Sequence, residues 1–277
     1  MELKLVHFYP DLMSLYGSYA NVAILKRYLE LLGNTVTVKT VAPGENADIS
    51  DADFLYMGAG TERSQKAALA DFVRYAQAVK SAAEGGTAQL YAGNAMELLG
   101  KTITDSTGKL YEGIGMAGFA SVQSEKRIVG DVYGETALYA DAVIGFMNKC
   151  ARITGVETPL LTGLKMGFGN EAEGGAEGFC QNAVFASELP APSSPRTPAC
   201  WKKWPLQSMP AGVNHCRKLC PPCPTWKRAT PWRQSSCGCA AKILPNKKRP
   251  VSNWTRAVFI QNHDEVLFDT LGFPEAL

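Results

Sequence analysis

Gln89-Leu90-Tyr91-Ala92-Gly93-Asn94-Ala95-Met96-Glu97-Leu98-Leu99-Gly100 is the stretch whose reading decides the fold. An apolar run of strand character stops at Gly93, and Ala95 to Leu99 read as the first turns of a helix. A strand turning sharply into a helix is the geometry of a nucleophile elbow. It lifts one side chain above the sheet edge and turns the following N–H groups toward a reacting centre. The residue at the tip here is a glycine. An ordinary βα connection explains that glycine too, because glycine tolerates the dihedrals of a tight turn. Taken alone, the window favours the ordinary connection.

Working outward, Leu3 to Tyr9 alternates as a buried first strand does, and Pro10-Asp11 breaks it. Asn21 is placed to cap a helix over 22–32, where Val22, Leu25, Tyr28, Leu29 and Leu32 repeat at helical spacing before Gly33. A second strand is expected over 34–41 and a third over 53–58, ending in Met57-Gly58-Ala59-Gly60. One long amphipathic helix follows over 64–84, closed by Gly85-Gly86. Strands alternating with helices of this length predict βαβ units and a parallel sheet covered on both faces. Ligands in such sheets sit beyond the carboxyl ends of the strands, so the Gly58-Ala59-Gly60 loop and the Gly93 turn should line one pocket. From 101 to 187 the pattern shifts to shorter strands between glycine turns, with 116–122, 127–133, 143–147 and 182–187 as candidates. The glycine-rich stretch 167–178 reads either as a flexible cover over the pocket or as a plain surface hairpin.

Composition divides the chain near Pro190. Before residue 191 there are 15 Lys+Arg against 22 Asp+Glu, and after it 13 against 4. All five tryptophans and six of the eight cysteines fall in the second part. The expectation is a domain over 1–190 and a basic Cys/Pro/Trp-rich tail over 191–277. No run of about 18 apolar residues predicts a membrane span. Met1-Glu2-Leu3-Lys4 opens directly on a strand pattern without a leader. Only Cys150 and Cys180 precede the break, which fits a cytoplasmic chain with reduced thiols.

Several motifs, in order, resemble one family. Tyr9-Pro10-Asp11-Leu12-Met13, then Leu15-Tyr16-Gly17 and Asn21, is similar to the opening of CobB/CobQ-type glutamine amidotransferases, most of all their GatD-type branch, the amidotransferase subunits of lipid II isoglutaminyl synthases. Gly58-Ala59-Gly60-Thr61-Glu62-Arg63-Ser64-Gln65 resembles that family's Gly-Gly-Gly-Gln-Asp-x-x-Gln loop, and Glu97-Leu98-Leu99-Gly100 its Gln-Leu-Leu-Gly. Gly145-Phe146-Met147-Asn148-Lys149 resembles Gly-Phe-Glu-Asn-His. Gly167-Phe168-Gly169-Asn170 with Glu177-Gly178 resembles Gly-x-Gly-Asn…Glu-Gly.

The resemblance implies a three-layer α/β fold of the class I glutamine amidotransferase type, with a flavodoxin-like parallel sheet, followed by an irregular C-terminal tail. It also implies hydrolysis of glutamine by a cysteine thiolate, with a histidine moving protons and elbow N–H groups holding the oxyanion. Ammonia would pass to a Mur-ligase-like synthetase subunit that amidates the glutamate of lipid II. No cofactor and no metal is implied. A corrinoid (cobyric acid) amidotransferase and a non-catalytic binding or regulatory subunit stay open as alternatives. The site would be lined by Gly58, Ala59, Gly60, Gly93, Asn94, Ala95 and Asn148, with Gly60 and Asn94 offering backbone contacts to the oxyanion.

The departures are chemical. Ungapped alignment places the nucleophilic cysteine at Gly93, the motif histidine at Lys149, and Pro190 where the catalytic histidine belongs. His7 lies in the first strand and reads as a core residue, while His215 and His263 lie in the tail. Cys150 and Cys180 read as small buried hydrophobes rather than replacement nucleophiles. The chain is therefore expected not to hydrolyse glutamine by the family's route.

The tail shows neither helical nor strand period. Cys220-Pro221-Pro222-Cys223 has zinc-ligand spacing, but Cys237-Gly238-Cys239 does not complete it. Its basic and tryptophan content lacks a recognisable RNA-binding frame, so nucleic acid is not the expected partner. Residues 191–205 can be back-translated so that a neighbouring frame spells Gly-Pro-Leu-Leu-Ala-Pro-Asn-Pro, similar to the family's next segment. The tail is thus expected to be disordered or frameshift-derived.

Overall fold

The computed structural model describes residues 1–171 and 174–190. The expectations for the tail, including His215, His263 and the zinc reading, lie outside the described residues. No helix among the described residues is long and apolar enough to cross a membrane.

Two-residue alternation along three strands builds the layers. In β1 (Glu2–Phe8), Leu3 and Leu5 join one apolar cluster while Val6 and Phe8 join another. In β3 (Phe54–Met57), Phe54 and Tyr56 divide from Leu55 and Met57 in the same way. The pattern repeats in β4 (Ala88–Ala92), where Leu90 and Tyr91 face opposite clusters. On one face α1 (Ala20–Leu31) lays Val22, Leu25 and Leu29 into the first cluster. On the other, α2 (Glu62–Phe72) and α3 (Ala76–Glu84) contribute Ala68, Leu69, Phe72 and Val79. A sheet buried on both sides needs continuous apolar strands, and all residues of β3 and β4 are buried.

The main sheet has six strands in the order β10-β11-β4-β3-β1-β2, with β2 at Thr35–Val41, β10 at Phe179–Gln181 and β11 at Val184–Ser187. Every neighbouring pair is parallel except β10 with β11. The carboxyl ends of β1, β3, β4 and β11 therefore lie along one edge. The expected α/β three-layer architecture is present.

Several local expectations are corrected. Tyr19, not Asn21, stands at the N-cap of α1; Asn21 faces inward and donates to Tyr56 Oη at 2.9 Å. The single long helix is two helices joined by a 3₁₀ turn at Val73–Tyr75, which carries Tyr75 inward so that its Oη accepts the Ala47 N–H. Asn182 has φ +54 and sits in the β10–β11 turn, so the last strand starts at Val184 rather than 182. The short strands foreseen between 116 and 147 are parts of two long ones, β7 (Ala120–Thr136) and β8 (Tyr139–Thr154). Their pairing is interrupted between Gln123 and Ile128. The polar residues Ser124-Glu125-Lys126 fall in that bulge, which is why the alternation looked broken. With β5 (Thr102–Thr104), β6 (Leu110–Glu112) and β9 (Gly163–Met166), β7 and β8 form a second sheet.

His7 is buried in β1, edge-on to Tyr56 at 5.1 Å, and its Nε2 has no hydrogen-bond partner among the described residues. Burial lowers its pKa from 6.5 to about 4. The folded chain thus refuses a proton that the unfolded chain accepts between those values. Its contribution to stability is complete above pH 6.5 and is lost as pH falls toward 4, by about 3 kcal/mol in all. Urea unfolding at pH 7 and pH 4 should show a smaller drop for His7→Leu than for the unaltered chain.

Candidate active site

β4 ends at Ala92, and Gly93 opens a 3₁₀ turn over Gly93–Leu99 in place of the expected α-helical turns. Gly93 has φ +63, so the strand–elbow–helix geometry is present. A Cβ built on Gly93 would stand 2.6 Å from the Ala59 Cβ and 3.1 Å from the Pro190 Cβ. The space a side chain at position 93 would need is filled by the Ala59 methyl group. The N–H groups of Gly93 and Asn94 lead the turn and so fall outside its i→i+3 ladder.

Across from the elbow, the loop after β3 is held by close approach of the chain after β1. A Cβ on Gly58 would run into Ser18 Oγ and the Met13 carbonyl oxygen, and one on Gly60 into Met13 Sδ. Ala59 N donates to Ser18 Oγ at 3.1 Å, and Leu15 N donates to Ala59 O at 2.8 Å. Gly60 N donates to Asn94 Oδ1 and Asn94 Nδ2 donates back to Gly60 O, both at 2.9 Å. The expected oxyanion contact from Gly60 is therefore corrected: its N–H is spent on the Asn94 carboxamide. Gln65 Nε2 completes the seam by donating to Asn94 O at 2.7 Å.

A cavity of about 10 Å³ lies where these ends meet, which is room for about one water. Ala59, Gly60, Gly93, Asn94 and Asn148 line it, so five of the seven expected site residues come together. Gly58 and Ala95 do not: the first packs on Ser18, and the second is buried in the apolar core. The lining also includes Glu62, Glu97, Arg127, Lys149, Cys150, Glu188 and Pro190. Of these, Glu62, Glu97, Arg127 and Glu188 were not foreseen as site residues. Glu62 and Glu97 do belong to two of the quoted motifs, whereas Arg127 and Glu188 are signalled only by standing at the ends of expected strands.

Arg127 organises the mouth. Its Nη1 donates to Glu62 Oε1 at 2.7 Å, its Nε to Asn148 Oδ1 at 2.6 Å and its Nη2 to Asn148 O at 2.9 Å. Lys149 is buried and donates to the carbonyls of Gly169 and Asn170 at 2.7 and 2.8 Å. That amine ties the glycine-rich stretch to β8. Asn170 also exchanges hydrogen bonds with Gly178, so the described part of 167–178 is neither a loose cover nor a plain hairpin.

Neither early cysteine offers a thiolate near neutral pH. Cys150 donates its thiol to Glu62 Oε1 at 3.3 Å, and burial together with that carboxylate pushes it up to about 12. Cys180 lies in β10, away from the cavity, and burial pushes it up to about 11. The buried carboxyls show the same cost of desolvation. Glu97 accepts from Gln123 Nε2 at 2.9 Å and is raised by burial and by Glu188. Glu177 accepts the Glu188 N–H and the Ser187 hydroxyl and is pushed up to about 7 by burial. Among the described residues no three His, Cys, Asp or Glu side chains gather as a metal site.

A sequence profile of the CobB/CobQ-like glutamine amidotransferase domain matches residues 4–189, which spans both the sheet and the elbow. The chain belongs to that family. It is 26% identical over 195 residues to the Staphylococcus aureus lipid II isoglutaminyl synthase (glutamine-hydrolyzing) subunit GatD, covering 70% of this chain and 79% of that one. The GatD subunit of Streptococcus pneumoniae is 27% identical over 194 residues, covering 69% and 74%. A solved structure described as a glutamine amidotransferase overlaps 72% of this chain and 98% of its own length, at 15% identity and a TM-score of 0.47. In this family member the turn after β4 carries Gly93, which has no side chain to act as a nucleophile.

Restoring one is obstructed twice, by the left-handed φ of Gly93 and by the Ala59 methyl. Gly93→Cys alone should destabilise the chain by about 1–3 kcal/mol and alkylate slowly at position 93. The pair Ala59→Gly/Gly93→Cys should regain part of that stability and alkylate faster. Peptide mapping of iodoacetamide labelling, with thermal unfolding alongside, checks both.

Proposed function

We propose that the chain is a glutamine-amidotransferase-like subunit that seats on a Mur-ligase-like synthetase amidating the glutamate of lipid II, and that it does not release ammonia from glutamine through a thiolate. The observation that carries this is Gly93: an elbow with a positive φ and a methyl group 2.6 Å from where its Cβ would be. Removing the nucleophile from such a site costs many orders of magnitude in rate. The family membership and the two GatD relatives support the partner and the acceptor. The free thiols of Cys150 and Cys180 favour the cytoplasm as its compartment. Retained packing of the elbow and the loop against each other favours a binding or regulatory role on the synthetase over a decayed chain without one.

Ammonia release from glutamine should stay at the blank for the unaltered chain, while the chain should copurify with a Mur-ligase-like synthetase. Release should appear only after Ala59→Gly and Gly93→Cys are combined with a rebuilt Asn-Pro segment carrying the histidine. Glutamine-dependent release from the unaltered chain would overturn the reading and send attention to Cys150.

A further inference from the structure

A second and larger space lies beside the small cavity. It is an open groove of about 460 Å³ between the first turn of α2, the β5–β6 hairpin and the bulge of β7. That volume is in the range of small-molecule sites. The Glu62–Arg127 ion pair and Cys150 line both spaces. Arg63 and Lys66 line the groove from α2, three residues apart and so neighbours on one helix face. Lys66 Nζ donates to Gln65 Oε1 at 2.7 Å and to Gln123 Oε1 at 2.8 Å, which leaves one of its three N–H groups. Neither cation has a carboxylate at ion-pair distance among the described residues. Burial lowers the Lys66 pKa, the cost of holding an ammonium without an anion against it. Lys66 Nζ stands 5.4 Å and Lys109 Nζ 4.9 Å from the centre of the Tyr111 ring, so positive charge gathers on that side. Three carboxylates also line the groove, and two are occupied. Glu62 is taken by Arg127 and the Cys150 thiol, and Asp105 accepts the N–H groups of Thr107 and Lys109 and the Thr107 hydroxyl. Glu125 is exposed in the bulge.

We propose that this groove binds a small hydroxylated molecule by an oxyanion head, phosphate or carboxylate, held between Lys66 and Arg63. Lys66 supplies a partly desolvated charge with one N–H to give, and Arg63 a guanidinium fork at the exposed rim. Glu125 accepts hydroxyl groups from the body of the ligand and opposes a molecule that is anionic at both ends. The ligand is held by charge and hydrogen bonds alone, and no bond is made or broken. Gln123 accepts from Lys66 and donates to Glu97 Oε2 at 2.9 Å, so the site is joined by one side chain to the cavity at the elbow. It needs neither a nucleophile at position 93 nor the synthetase.

The test is an amide NMR titration of the labelled full chain with glycerol 3-phosphate, glycerate and glycerol at constant ionic strength. The three share a hydroxylated body and differ in the head. The expected result is saturable shifts around Arg63, Lys66, Tyr111 and Ser124 with at least one of the two anions, and none with glycerol. The tighter anion assigns the head as phosphate or carboxylate. Lys66→Met should weaken binding about tenfold or more, and Arg63→Gln about two- to fivefold. The exposed control Lys39→Gln should leave it unchanged. Arg63 is exposed, so its variant reads the same site even where thermal unfolding shows that Lys66→Met does not fold. Equal shifts with glycerol, no saturable shifts at these residues, or binding indifferent to both substitutions would each overturn the proposal.

Discussion

Two hydrogen bonds exchanged between Gly60 and the Asn94 side chain join the end of β3 to the turn after β4. An asparagine carboxamide presents an N–H and a carbonyl oxygen side by side, so it completes a ladder where the strands have already ended. Around that seam the contacts are tight. Gly58 and Gly60 admit the Met13–Ser18 segment, and Gln65 holds the Asn94 carbonyl. These groups satisfy one another's hydrogen-bonding capacity across the seam. The same satisfaction takes Gly60 out of oxyanion chemistry.

Burial explains the electrostatics of the cavity. Cys150 stands beside the Glu62 carboxylate, so desolvation and charge both oppose its thiolate. Glu97, Glu177 and Glu188 are all held toward their neutral forms by the same desolvation. Arg127 is the compensating cation at the mouth, and its guanidinium spans Glu62 and Asn148 where a lysine could not reach all three acceptors.

Ala59 and Gly93 belong together. Each is an unremarkable small residue in the sequence, yet the methyl of one occupies the space that the side chain of the other would need. The two positions thus form one packing unit, and a side chain at 93 is unfavourable while the Ala59 methyl stays.

The layered parallel fold was legible because it rests on short-range periodicity. Leu3 to Phe8 and Phe54 to Met57 alternate between two apolar faces, and that pattern survives without knowledge of neighbours. Glycine placement and motif order likewise located the elbow and five residues of the cavity lining, because backbone geometry there excludes larger side chains. The β7–β8 hairpin was hidden by a bulge, since pairing across it depends on the partner strand. The role of Asn21 was hidden because a buried tyrosine hydroxyl outcompeted a cap. Only the tertiary structure brought Glu188, Glu97 and Arg127 to one cavity, from segments about 30 to 90 residues apart. Sequence determines which backbone shapes are affordable locally; long-range packing decides which charges lose their water and face one another.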